Sequence, residues 1–330
     1  MTPEQEIPFA SVLEALFSAD DLPIYLLYRL SDLSDAEFEQ FKQEWRDVDE
    51  QRRIAVVLHM SEIIEENFLV DFSPLFAYMF DDESAAVRVA ALDGVWDSED
   101  QSLVPLILDM LATDEDAGVR AAAARSLAHY ILLVEWAQIS DAYTGEIVDG
   151  LLAAYDNPRS SLEVRRAALE AVSASSHPRV PELITDAYEE GPNDLQLSAI
   201  FAMGISGDER WLPILEEELS SPSPDFRAEA ARACGGIGGH SSIEALEQLI
   251  DDDDPEVGAS AILALGQIGG ERIFAMLSRL ADDPNYEEYY DVIEDALDEM
   301  EWMDSSFDML AFPDDDDDDE DDILDELRLN

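Results

Sequence analysis

The sequence repeats itself about every 31 residues, and this period constrains the fold more than any other feature. Six segments align on a first apolar residue, at spacings of 32, 45, 31, 31 and 31 residues. An alanine follows four positions later in every copy, and another apolar or small residue follows after eight, which places all three side chains on one helical face. The aligned anchors are Val87, Val119, Val164, Leu195, Phe226 and Val257.

Each copy continues with a second apolar segment, as in residues 102–111, 179–188 and 271–280. Two helices in about 31 residues cannot bury both of their apolar faces alone, so neighbouring copies must stack. Weaker copies near Ile54 and Tyr289 extend the array in both directions. The sequence therefore predicts an all-α fold, an α-solenoid of about seven to eight helical hairpins, spanning residues 49–302.

Three glycines follow directly after the apolar stripe in the later copies, at Gly204, Gly235 and Gly266. A helix often ends at a residue that tolerates a positive φ, and glycine adopts this conformation without strain. We therefore predict that these glycines end the first helix of their repeats.

The pattern D-x-x-x-x-V-R-x-x-A-x-x-x-L-G, followed by a second helix ending in Leu, resembles HEAT repeats of the short bacterial type. These are also known as phycobilin-lyase HEAT-like repeats, and the resemblance covers roughly residues 50–300. It implies an architecture that serves many roles. One HEAT-like enzyme, deoxyhypusine hydroxylase, holds two irons with His-Glu dipeptides, and none of the four histidines here precedes a glutamate. Only the repeat pattern matches the bilin lyases, so we predict no catalytic residue, no cofactor and no metal.

The two ends of the chain depart from the repeat. Residues 1–48 predict an N-terminal helical cap, with helices near 9–18 and 22–31 and a capping box beginning at Ser34. Residues 303–330 predict a disordered acidic tail, because the run of nine acids at 314–322 cannot pack. The short apolar segment 323–330 either is solvated with the tail or docks on the solenoid or a basic partner.

The 45-residue spacing places an insertion at residues 130–146. One interpretation is a lengthened helix followed by a loop, since insertions into repeats are commonly loops. The alternative is a binding protrusion, anchored by Trp136 and Tyr143.

The net charge of −60 arises from 78 acidic and 18 basic side chains. A surface this acidic excludes direct nucleic-acid binding and repels anionic membranes, whereas it attracts basic proteins. Some of the acids are expected to accept hydrogen bonds from a ladder of arginines that follow the anchors: Arg88, Arg120, Arg165 and Arg227. The single cysteine and the absence of a signal peptide or an apolar span predict a cytoplasmic protein.

The resemblance implies that the second helices line the concave surface, which would make this surface acidic. We therefore predict a non-catalytic scaffold that binds a basic protein partner. The alternatives are an enzyme or enzyme subunit of the bilin-lyase type, and an acidic chaperone or nucleic-acid mimic for a basic protein. The candidate partner-binding residues are the acids Glu189, Glu190, Glu216, Glu217, Glu218, Glu244 and Glu247 and the aromatics Trp211, Tyr286, Tyr289 and Tyr290. The alternative interpretation is that the acids form a solvated face without a partner, and that the three tyrosines cap the final repeat.

Overall fold

The computed structural model describes the backbone of residues 7–67 and 69–310, and for residues 66 and 303–310 it describes the backbone alone. The chain divides into two compact units, and the boundary lies between Trp211 and Leu212. Each unit is a solenoid of stacked helical hairpins, and the described residues contain no strand. None of the described helices is long and apolar enough to span a bilayer.

Unit 1 begins with two α-helices that flank a 3₁₀ segment, in the region predicted as the cap, and four helical hairpins and the first helix of a fifth follow. The segment predicted as a helix near 22–31 is a 3₁₀ helix, Ile24–Leu30. The helices of unit 1 are α1 (Phe9–Ser18), α2 (Asp35–Trp45), α3 (Glu50–Glu66), α4 (Ser73–Met79), α5 (Ala85–Asp93), α6 (Val104–Thr113), α7 (Ala117–Glu135), α8 (Thr144–Asp156), α9 (Leu162–Val172), α10 (Val180–Glu190) and α11 (Asn193–Ile205).

Unit 2 alternates the same two kinds of helix. The first helices of its repeats are α13, α15 and α17, and they pack directly on one another, while α12, α14 and α16 cover one side of them. The helices of unit 2 are α12 (Leu212–Glu218), α13 (Pro224–Ile237), α14 (Ile243–Leu249), α15 (Pro255–Ile268), α16 (Glu271–Ala281) and α17 (Tyr290–Leu310).

The predicted role of the glycines that follow the apolar stripe is wrong. Gly235 lies inside α13, and a Cβ there would stand 2.7 Å from Cα of Ala264; Gly266 lies inside α15, where a Cβ would stand 2.8 Å from Cβ of Ala296. The residues that end these helices with positive φ are Gly238 and Gly269, three positions further on. In these two repeats the first glycine therefore allows close approach of the neighbouring helix, and the later one adopts the positive φ that ends the helix.

The N-terminal cap is held by its own apolar cluster and by contacts with the first repeat. The predicted capping box is present, with the Ser34 backbone N–H donating to the Glu37 carboxylate at 3.0 Å and the Glu37 N–H donating to the Ser34 hydroxyl. The Trp45 ring stacks on Phe41 and donates from its indole N–H to Asp82 at 2.8 Å. These contacts cover the start of the array with packed aromatic rings.

The predicted arginine ladder is confirmed at two of its four positions. Arg88 donates from Nε and Nη2 to the two oxygens of Asp114, in the turn that ends the same repeat. Arg227 binds Asp252 in the same bidentate geometry, at 2.8 and 2.7 Å. Arg165 instead lies over the ring of Tyr155, with Cζ 5.0 Å from the ring centroid.

The insertion lengthens the first helix of its repeat, as one of the two interpretations expects. Helix α7 continues to Glu135, and a loop and a 3₁₀ segment, Asp141–Tyr143, lead into α8. Trp136 is 62% exposed, whereas Tyr143 is half-buried. At the other end of the chain, α17 extends to Leu310, so helix occupies the first eight residues of the predicted tail. The acidic run and residues 323–330 lie outside the described residues.

Candidate partner-binding surface

The second helices of unit 2 present the acidic side chains that the sequence singled out. Glu217 on α12 and Glu244 on α14 are exposed, because the apolar stripe of each helix turns Leu215 and Leu246 toward the first helices. Glu216, Glu218 and Glu247 are half-buried on the same two helices. The amphipathic pattern thus sets which carboxylates face water.

Several of these carboxylates already have partners within unit 2. Glu216 accepts hydrogen bonds from the hydroxyls of Ser241 and Ser242, at 2.6 and 3.1 Å. Glu247 forms an ion pair with Arg272 of α16 at 2.7 Å. Both contacts join one repeat to the next. Among the described residues, Glu217 and Glu244 form no ion pair, so their charges are available to a partner.

The two remaining acids of the prediction lie in unit 1. Glu189 and Glu190 are exposed at the C-terminal end of α10. Carboxylates at this end face the negative pole of the helix dipole, which makes a cation beside them favourable. They form a separate acidic pair in unit 1.

Two of the four candidate aromatic anchors, Trp211 and Tyr289, are buried, so the interpretation that they are exposed anchors is wrong, and for Tyr289 the alternative of a packing role in the final repeat fits its burial. Trp211 is 5% exposed and donates from its indole N–H to the Ser206 hydroxyl at 3.1 Å. Tyr289 is 6% exposed, and its hydroxyl fills the space that a side chain at Gly258 would need. Both rings stabilise the repeat packing. The sequence could not show this, because the glycine that makes room for Tyr289 lies 31 residues away.

The other two aromatics remain accessible. Tyr290 is 52% exposed at the start of α17. Tyr286 is half-buried and donates from its hydroxyl to Asp251 at 2.8 Å, and this hydrogen bond to a carboxylate raises the pKa of the phenol. Only Tyr290 therefore offers a large ring surface among the four predicted anchors.

The structure adds an exposed aromatic that the sequence analysis left out. Trp302 on α17 is 70% exposed. It lies four, seven and eleven residues after three exposed acids, so the four side chains form one stripe along the helix. The predicted solenoid ends at residue 302, and the predicted partner-binding residues did not include this stripe. The helical spacing of its acids in the sequence indicates it nevertheless. The acids of the stripe are Asp291, Asp295 and Asp298.

Unit 2 contains little basic charge to balance its carboxylates. Residues 212–302 carry 23 acidic side chains and four arginines. Arg227, Arg232 and Arg272 are each held by carboxylates of unit 2 at 2.7 Å. Three of the four arginines are therefore engaged by carboxylates within unit 2, and the net charge of the unit remains strongly acidic.

The buried titratable side chains belong to the repeat packing. Burial raises the pKa of the Cys234 thiol to about 11, so the group stays protonated at neutral pH. Burial also lowers the pKa of His129, on the lengthened helix α7. Within the described residues, no group of three or more His, Cys, Asp or Glu side chains is arranged to hold a metal ion.

The family of HEAT repeats matches the sequence in two regions, residues 72–138 and 207–298. The first region lies in unit 1 and contains α4 to α7, and the second lies in unit 2 apart from the few residues before Leu212. The chain contains HEAT repeats in both of these regions. No curated protein matches its sequence significantly.

Solved structures with related folds are distant in sequence from this HEAT-repeat protein. The Escherichia coli protein YibA is 19% identical with a TM-score of 0.46, and the match covers 85% of this chain and 97% of that one. Human deoxyhypusine hydroxylase in complex with glycerol is 19% identical with a TM-score of 0.34, covering 89% and 96%. An engineered protein is 16% identical with a TM-score of 0.39, covering 89% and 88%. Likeness at this level assigns neither an activity nor a partner.

Proposed function

We propose that this HEAT-repeat protein is a non-catalytic scaffold that binds a basic protein partner on the acidic face of unit 2. The observation that carries the proposal is the imbalance of charge on that unit, where arginines are few and three of the four are already paired with carboxylates of the same unit. The exposed carboxylates Glu217 and Glu244 attract a cationic surface. The exposed rings of Tyr290 and Trp302 supply apolar area for the contact.

Charge at the rim of an interface acts mainly on the rate of association and on the dependence on salt. We therefore expect capture of a basic protein by the immobilised full chain to be strong at about 0.05 M salt and weak at about 0.5 M, where the screening length falls severalfold. The captured partner is identified by mass spectrometry, and its affinity is then measured for the wild-type chain and for variants. Capture that does not change with salt would contradict the proposal.

Two double variants with the same change in net charge locate the surface. Glu217→Gln with Glu244→Gln removes two exposed acids from unit 2, and Glu189→Gln with Glu190→Gln removes two from unit 1. We expect the first to weaken the partner's binding about three- to tenfold, since exposed charges contribute a few tenths to 1 kcal/mol each, and the second to leave it unchanged. Equal loss in both would show that overall charge attracts the partner and that unit 2 has no special role.

Deleting residues 313–330 separates the scaffold from an acidic chaperone or nucleic-acid mimic. A scaffold that uses the helices of unit 2 keeps its partner after the deletion, whereas a chaperone that binds through the polyanionic tail loses it. The affinity of the purified partner for the full and the shortened chain gives the answer.

A further inference from the structure

We call an arginine paired with the aspartate of the turn that ends its repeat a complete rung of the ladder, as in Arg88–Asp114 and Arg227–Asp252. At Arg120 this carboxylate is missing. In the two complete rungs, Nη1 of the arginine donates to a backbone carbonyl six residues earlier, at 2.8 Å for Arg88 and 2.9 Å for Arg227. Arg120 repeats this contact with the carbonyl of Asp114 at 2.5 Å. Its guanidinium is thus anchored as in the complete rungs, yet it forms no ion pair with any described residue.

Asn157 occupies the place that an aspartate holds in the complete rungs. Asp114 and Asp252 each accept a hydrogen bond at 2.9 Å from the backbone N–H two residues later, and Asn157 Oδ1 accepts the equivalent bond from Arg159 at 3.0 Å. That bond directs the amide oxygen to the turn. The amide nitrogen then takes the position of the second carboxylate oxygen, and an N–H donor cannot pair with a guanidinium, which is also a donor.

A cavity of about 390 Å³ opens beside this incomplete rung, between α6 and α8. Arg120, Asn157, Arg159 and Ser160 contribute donors to its lining, and Asp114 is the acid of the lining. Both oxygens of Asp114 are already bound by Arg88. The floor is apolar and formed by Leu108, Leu111, Ala112, Ala153 and Ala154.

The repeat that contains the cavity is also the repeat that contains the insertion. The donor and the turn lie 37 positions apart here and 25 or 26 in the complete rungs. Helix α8 has 13 residues, whereas α6 has 10, and Gly150 on α8 lies where a Cβ would be 2.8 Å from Leu108. A helix of different length thus meets α6 without filling the space between them.

We propose that this cavity binds a carboxylate that carries an apolar group. Its two oxygens take the place of the missing aspartate, accepting from the free edge of Arg120 and from the amide of Asn157, with Arg159 and Ser160 beside them. The apolar group lies against the leucines and alanines of α6 and α8. A doubly charged phosphate fits less well, because the vacant position matches one planar carboxylate and Asp114 lies in the same wall.

The chemistry has two sources, a free aliphatic acid or the C-terminal residue of a peptide. Isothermal titration of the full chain with octanoate and with N-acetyl-leucine distinguishes them, and saturable binding of either supports the proposal. Octanamide keeps the shape and removes the charge, so we expect it to bind at least tenfold more weakly, the loss of about one charge-assisted hydrogen bond. Inorganic phosphate is expected to bind more weakly than the better carboxylate.

Three variants make the test specific. Asn157→Asp supplies the missing carboxylate from the chain itself, so we expect it to weaken the better probe at least tenfold while the protein remains folded by circular dichroism. Arg120→Gln should weaken it to a similar extent. Arg279→Gln, which removes an exposed guanidinium from α16, should have no effect. No saturable binding of either carboxylate, equal binding of octanamide or phosphate, or undiminished binding by Asn157→Asp would each overturn the proposal.

Discussion

Arg227 and Arg120 occupy the same position in their repeats, and each donates to a backbone carbonyl six residues earlier. Their guanidinium groups nevertheless face different partners. Arg227 is closed by Asp252 in a bidentate ion pair, whereas Arg120 faces Asn157 and an open cavity. Arg227 thus joins the first helix of its repeat to the turn, whereas one edge of the Arg120 guanidinium has no carboxylate partner among the described residues. The two repeats differ in the side chain of the turn, Asp252 against Asn157, and in twelve additional residues between the arginine and the turn.

The largest effect is expected from removing the carboxylate that pairs with Arg227. Asp252→Ala leaves a mostly buried guanidinium without its carboxylate and removes the acceptor of the turn, so we expect a loss of about 2–3 kcal/mol in the free energy of unfolding. Asn157→Ala removes only the turn acceptor and should cost about 1 kcal/mol or less. Urea denaturation followed by circular dichroism measures both. Equal costs would mean that the ion pair adds nothing.

The stability of the complete rung is also expected to depend on pH. The hydrogen bond from Arg227, aided by the backbone N–H of Asp254, holds the pKa of the Asp252 carboxyl below its usual value of 3.8. A lowered pKa stabilises the folded state above the unfolded value, and this stabilisation is lost as the pH falls through the folded value.

The difference in unfolding free energy between wild type and Asp252→Asn should therefore be constant near neutral pH and shrink below about pH 3.8. Wild type and Asn157→Asp differ by the same pair of side chains opposite Arg120, so they provide the matched comparison at the other arginine. Denaturation midpoints from pH 7 down to pH 3 report the effect. A difference that grows as the pH falls would contradict the assigned cause.

Supplying the missing carboxylate opposite Arg120 should stabilise the protein modestly. Asn157→Asp gives Arg120 a carboxylate at the edge of the cavity, and we expect a gain of about 0.5–1 kcal/mol, because the position is exposed and screened by water. Thermal unfolding in low salt measures this gain, and added salt should reduce it. A loss of stability would show that the two rungs do not share one geometry.

The smallest effect is expected at Arg165, which uses a ring instead of a carboxylate. Its guanidinium lies over Tyr155, and its buried Nε has no hydrogen-bond partner among the described residues. Arg165→Met keeps an apolar chain on the ring and removes the desolvated donor, so we expect a change within about 0.5 kcal/mol. Arg88→Met, at a complete rung, is the matched control and should destabilise clearly more. Urea denaturation of the two variants tests the contrast.

The repeat itself could be predicted from the sequence because helical periodicity is a local property. The anchors at Val87 and Val257 and the alanines after them are all buried, as their spacing requires. The second helices and the capping box at Ser34 also follow from neighbouring residues. Each of these features depends on contacts within one or two helical turns.

The candidate partner surface could be predicted only in part. Glu217 and Glu244 are exposed as expected, but Trp211 and Tyr289 are buried, and Trp302 was missed. An aromatic ring in a turn packs or protrudes according to the space left by a distant residue. Charged side chains are easier to assign, because burying them without a partner is costly wherever they lie.

The sequence by itself determined that the chain stacks helical hairpins, because the 31-residue period specifies which faces must be buried. The tertiary structure alone decided that Gly235 lies against Ala264, that Tyr289 fills the space at Gly258, and that Arg120 opens on a cavity. The physical reason is distance along the chain. The two glycine contacts join residues 29 and 31 positions apart, and the cavity brings together Arg120 and Asn157, which are 37 positions apart, so each depends on how neighbouring helices pack.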